Sequence, residues 1–136
     1  MKSRTIVMIC AFGVLLGGAW MAQRQYDRAP EEAAGKRPKA TVEASILLQE
    51  FMEDEAAAGD KYNDKVIAVT GTVRAIGEPK GGKVYVLLET GNALAAVACE
   101  FDQAEMPRFE KGTRVTVQGY CAGYNLDVVL QRCALA

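Results

Sequence analysis

The hydrophobic positions of this chain fall into three regimes with different periods. Thr5 to Ala22 forms a run of eighteen consecutive uncharged residues between Lys2/Arg4 and Gln23/Arg24. Such a run can span a bilayer's hydrocarbon core as a helix, and a short cationic lead is what an export signal carries. Residues 23–40 mix charge, alanine and two prolines with no apolar stripe, and read as a linker. From Thr41 the spacing becomes helical. Thr41 is a good N-cap, Val42 to Ala58 contains no Gly or Pro, and Gly59 is placed to end the helix. Ile46, Leu47, Leu48, Phe51, Met52 and Ala56 recur on one face.

After Asn63-Asp64 the period changes to two. Ile67, Val69, Gly71 and Val73 alternate with Val66, Ala68, Thr70 and Thr72, which predicts a first strand rich in β-branched residues. Gly77 to Gly82 is turn chemistry, and Val84 to Leu88 is a second strand. Gly91-Asn92 predicts a tight hairpin turn into a third strand from Ala93 to Phe101, with Ala95, Val97, Cys99 and Phe101 on one face. Asp102 to Glu110 is expected to be a short helical connection. Val115, Val117, Gly119 and Cys121 mark the inner face of a fourth strand, with Gln118 outward and tolerant of substitution. A turn near Tyr124 leads to a fifth strand, Asp127 to Cys133. This order predicts a mainly β (α+β) chain: a five-stranded Greek-key OB-fold barrel, preceded by an amphipathic helix and an N-terminal transmembrane helix. The domains are then the anchor at 1–22, the linker at 23–40 and the OB-fold domain at 41–136. Gly71 and Gly119 fall mid-strand, where tight barrels bend or pack closely.

Charge narrows the possible partners. Residues 1–40 carry seven Lys/Arg and three Asp/Glu, whereas residues 41–136 carry nine and fourteen, so the barrel is acidic. An acidic domain argues against a nucleic-acid surface, which needs clustered cations. The basic linker is suited either to anionic lipid heads or simply to solvation. Glu53, Asp54 and Glu55 diverge around a helix and do not converge on one metal.

FMEDEAAAGDKYNDKVIAVTGTV, then VACEF, then GTRVTVQGYCAGYNLDVVLQRCAL, resemble the tRNA-anti-like family of bacterial OB-fold proteins over nearly all of residues 44–135. The resemblance implies an exported OB domain. It brings no catalytic residues, and the family's name records fold kinship with anticodon-binding domains rather than tRNA binding.

The exported part carries three cysteines, Cys99, Cys121 and Cys133, which allow three pairings. A hairpin turning near Tyr124 sets Cys133 opposite about Val115, roughly 20 Å from Cys121 at ~3.3 Å per residue, and a disulfide needs Cα atoms within ~7 Å. In OB barrels the third strand runs parallel to the fifth, which brings Cys99 and Cys133 to the same barrel end. Cys99–Cys133 is the expected bridge; three buried thiols are the alternative. No C-x-x-C and no His is present to build a redox or zinc site.

OB barrels commonly bind on the face of strands two and three, flanked by the one-two and four-five loops. Candidate binding residues there are Lys80, Lys83, Tyr85, Tyr124 and Asn125. The sequence thus reads as a membrane-anchored, extracytoplasmic binding or adaptor module without catalysis, cofactor or metal. Its expected ligand is a protein or envelope component. Single-stranded nucleic acid and thiol-redox chemistry stand as alternatives. The span is read as a retained anchor rather than a cleaved signal, because Gly17-Gly18-Ala19 is followed by Trp20 and Met21. The domain then faces the periplasm or cell exterior. Alkaline phosphatase fused after Ala136 should be active and membrane-associated. A soluble product starting near Trp20 would show that the span is cleaved.

Overall fold

In the computed structural model, residue 33 and residues 35–136 are described. The predicted span Thr5–Ala22, with Cys10, and most of the predicted linker lie outside the described residues. Among the described residues no helix is long and apolar enough to cross a membrane.

The predicted first helix divides into three elements. Ala40–Glu43 is a strand (β1), Ala44–Glu53 a helix (α1) and Glu55–Tyr62 a second helix (α2). Thr41 is therefore a strand residue rather than a cap, and Gly59 lies inside α2. The break is local chemistry. Asp54 takes extended geometry, and its carboxylate accepts the Ala57 N–H at 3.0 Å, so it caps α2 instead of continuing α1. Leu47, Leu48 and Phe51 enter the core together with Ala44, Ala58 and Tyr62. Ile46, Met52 and Ala56, expected on the same stripe, face solvent.

Five strands close the barrel: Val66–Ile76 (β2), Lys83–Leu88 (β3), Val97–Asp102 (β4), Arg114–Asn125 (β5) and Asp127–Leu135 (β6). Their order is β2-β3-β4-β6-β5, and β5 returns to β2. β4 and β6 run parallel, with Cys99 opposite Leu130; the other barrel pairs are antiparallel. Such a closed mainly β barrel with two helices is the architecture of an OB-fold. β2 does double duty. Residues 66–72 pair with β5, and its far end pairs with β3 through an irregularity between Val73 and Ala75. β1 runs parallel to the first half of β2, where β3 does not reach.

Three further expectations change. Gly91-Asn92 does not form a tight hairpin; β4 begins only at Val97, after a loop in which Asn92 Oδ1 accepts the Leu94 N–H. The 102–110 connection holds turns and no helix, and Phe109 caps the barrel there, 5.0 Å from Phe101. The last hairpin turns at Leu126 (φ 64), so Tyr124 pairs with Val128 inside β5. At the other barrel end the Phe51 ring lies 6.0 Å from Tyr124 and 6.1 Å from Tyr62.

The mid-strand glycines sit where the barrel is tightest. A Cβ on Gly71 would lie 3.0 Å from the Ala44 Cβ, where α1 meets β2. A Cβ on Gly119 would lie 2.5 Å from the Cys133 Sγ. Cys133 is thus near Gly119 rather than Val115, because two β6 residues oppose Gly119 in a bulge around Arg132 (φ 51).

Gln118 points away from the barrel core, yet it is buried at 6 % exposure. Its amide donates to the Ala33 and Lys36 carbonyls. The expected tolerance at this position therefore gives way to a covered hydrogen-bond site. Val117→Asp buries an unpaired charge and should cost on the order of 3–5 kcal/mol. Gln118→Asp loses both donors and sets a carboxylate against carbonyl oxygens, so it should cost about 1–3 kcal/mol. Thermal melts of both variants check this; an unchanged Tm for Gln118→Asp would refute the covering contact.

Candidate ligand-binding face

Alternation along β3 and β4 creates one outward sheet face. Val84, Val86 and Leu88 point inward with Val97, Cys99 and Phe101, all at most 3 % exposed. Lys83, Tyr85 and Leu87 therefore point outward, opposite Asp102, Glu100 and Ala98 respectively. The Tyr85 hydroxyl donates to Glu100 Oε2 at 3.1 Å, and Tyr85 remains 41 % exposed. Partial burial, then the Glu100 contact, raises the phenol's pKa, so this ring stays neutral and able to donate.

The loop after β2 ends in a two-residue tip. Lys80 and Lys83 exchange backbone hydrogen bonds at 2.9 and 3.1 Å, with Gly81 (φ 60) and Gly82 (φ 78) between them. Only a turn with positive φ at both central positions fits, and glycine adopts it without steric cost. Lys80, Lys83 and Tyr85 therefore share one end of the face. Asn125 does not join them. It pairs with Asp127 at the start of β6, beside the Leu88 end of β3, about 16 Å along the strand from Lys83. Tyr124 lies on the core side, opposite Val128 and against Phe51. The structure thus brings together Lys80, Lys83 and Tyr85, and separates Tyr124 and Asn125 from them.

The rim at the Asn125 end is built by residues that the pattern did not single out. Arg74 donates to both oxygens of Glu89 and, at 2.7 Å, to the Asn92 carbonyl. Glu89 also accepts the Thr90 and Gly91 N–H groups, at 3.2 and 3.0 Å. The side-chain partner Arg74, then the Gly91 N–H, depresses the Glu89 carboxyl to about 2. At the opposite end, Lys83, Asp102, Met106, Arg132 and Cys133 line a cleft of 170 Å³. Among the described residues no group of three His, Cys, Asp or Glu is placed to hold a metal. Burial raises the Cys121 and Cys133 pKa values, which keeps both sulfurs as thiols at neutral pH.

A closed five-stranded barrel with an open outer sheet face on β3 and β4 defines an OB-fold domain. The chain belongs to the tRNA_anti-like family, whose model matches residues 1–135. No curated protein sequence matches it. Among solved structures it is similar to a candidate nucleic acid-binding lipoprotein from Klebsiella pneumoniae, at 17% identity and TM-score 0.55, covering 70% of this chain and 90% of that one. A candidate aspartyl-tRNA synthetase from Leishmania major aligns at 13% identity and TM-score 0.46, over 76% of this chain and 21% of that chain.

The depressed Glu89 pKa has a defined pH signature. Its stabilisation of the 89–96 loop is complete above the ordinary carboxylate value of 4.5 and is lost as pH falls towards about 2. The Gly91 amide resonance should therefore titrate within that window. In Arg74→Gln, the Gly91 midpoint should move up towards 4.5; an unmoved midpoint would remove Arg74 as the cause.

Proposed function

We propose that this protein is a membrane-anchored, extracytoplasmic OB-fold adaptor that binds a protein or envelope component through the outer face of β3 and β4, without catalysis. One observation carries the reading. Tyr85 is exposed on that face and donates to Glu100, while Asp102 stands opposite Lys83 in the strand register and Arg74 is ion-paired with Glu89 at the far rim. An amphipathic ring that can donate a hydrogen bond, in a charge-balanced frame, suits a polypeptide or glycan surface better than a phosphate backbone. The anchor rests on the cationic lead and the Thr5–Ala22 run. The lipoprotein nature of the Klebsiella relative supports an attachment to the envelope. The same relative's name favours a second reading, single-stranded nucleic acid. The excess of fourteen acidic over nine basic residues in 41–136 weighs against it.

A photo-crosslinking amino acid at Tyr85 of the full-length membrane protein should yield a discrete light-dependent adduct. The same probe at Lys111, on the connection before β5, should not. Equal labelling from both positions would overturn the face assignment. Oligonucleotide binding that weakens at least tenfold between about 50 and 200 mM salt would support the second reading instead.

A further inference from the structure

We infer that Cys99 and Cys133 are the disulfide-forming pair of this domain, and that Cys121 remains a thiol. Both stand as thiols in the structure, on neighbouring strands and on the core side of the barrel. β4 and β6 are parallel neighbours whose ladder ends at Cys99 and Leu130. Simple alternation from Leu130 would send Cys133 to the outside. The bulge at Arg132 (φ 51) inserts an extra residue and returns Cys133 to the core side, over Gly119. There the Cys133 Sγ and the Cβ of Leu130, the ladder partner of Cys99, converge on Gly119, and burial, then the Cys99 thiol, raises the Cys133 pKa. Cys121 is occupied elsewhere: its thiol donates to Asn63 Oδ1 at 3.5 Å.

The chemistry is thiol–disulfide exchange with a disulfide donor, either a thiol-disulfide oxidase of the compartment or oxidised glutathione. One cysteine attacks the donor disulfide as thiolate and forms a mixed disulfide, releasing one donor thiolate. The second cysteine then displaces the other donor sulfur. Two electrons pass to the donor, and the two cysteine protons end on its two thiols. Burial disfavours the Cys133 thiolate in the folded barrel, so the exchange belongs to the folding chain. The bond ties β4 to β6 beside the cleft, at the barrel end that Phe109 caps.

The in-cell form of this inference rests on the extracytoplasmic reading, and the experiment separates the two. The reduced, denatured full-length chain is refolded in detergent with a glutathione redox buffer and then mapped without reduction. Arg108, Lys111, Arg114 and Arg132 let trypsin place each of the three cysteines on its own peptide. The expected product joins the Cys99 and Cys133 peptides and leaves Cys121 open to alkylation. A Cys121–Cys133 or Cys99–Cys121 peptide, or full alkylation of all three, would overturn the inference. In addition, reductant should lower the Tm of the wild type by more than about 5 °C and leave Cys99→Ala unaffected; equal responses would also overturn it. The same map on protein extracted from cells reads the compartment. A refolded pair that is absent in cells would count against the extracytoplasmic reading, not against the pairing.

Discussion

Barrel closure through β2 is the constraint on which the rest depends. One strand must pair with β5 along residues 66–72 and then turn to meet β3. A strand serving two neighbours has to bend, and its inner face narrows where it does so. Gly71 sits there because a Cβ would meet Ala44 on α1 at 3.0 Å, and Gly119 sits on the facing strand where Cys133 fills the space. Side chains from all five barrel strands then reach one shared core. Val69, Val86, Cys99, Val117 and Leu130 are each at 0 % exposure. Close packing of this kind tolerates little change in volume.

Closure also decides which surfaces remain for binding. The core consumes every inward position of β3 and β4, so only their outward residues form the face proposed for a ligand. The helices cover the opposite end, where Phe51 rests against Tyr62 and Tyr124. There the Tyr62 hydroxyl and Lys61 both contact Glu50, which joins α2 to α1 across the Asp54 break. Tyr85 is left as the aromatic ring of the open face. Carboxylates stand beside it, with Glu100 accepting from its hydroxyl and Asp102 opposite Lys83.

The segment before the barrel is part of the fold. Gln118 holds the Ala33 and Lys36 carbonyls, and the Ala33 N–H reaches the Arg132 carbonyl. Tyr120 lies between two cations, with Arg132 at 4.5 Å and Lys36 at 5.5 Å from its ring centre. β1 then adds a parallel strand to β2. The described end of the predicted linker thus joins the fold, and β1 takes the ladder edge that β2 leaves unused.

The five barrel strands, their inner and outer faces and the two close-packed glycines were legible in the amino-acid order, because a period of two and β-branched residues reflect burial directly. The family resemblance was legible too, through the spacing of the glycines, cysteines and the Lys61-Tyr62 pair. Boundaries were not. The break at Asp54 turns on one side-chain hydrogen bond, and β1 depends on a partner 27 positions away, as in Ala40 opposite Ile67. Tyr124 and Tyr85 look equivalent as tyrosines near turns, yet one pairs with core Val128 and the other with surface Glu100. The bulge at Arg132 likewise decides on which side of β6 Cys133 lies. Sequence alone determined which residues seek burial and which turns can form, since those follow from side-chain chemistry and local backbone sterics. Only the tertiary structure decided register, bulges and the partner of each edge, because these depend on contacts between segments distant along the chain.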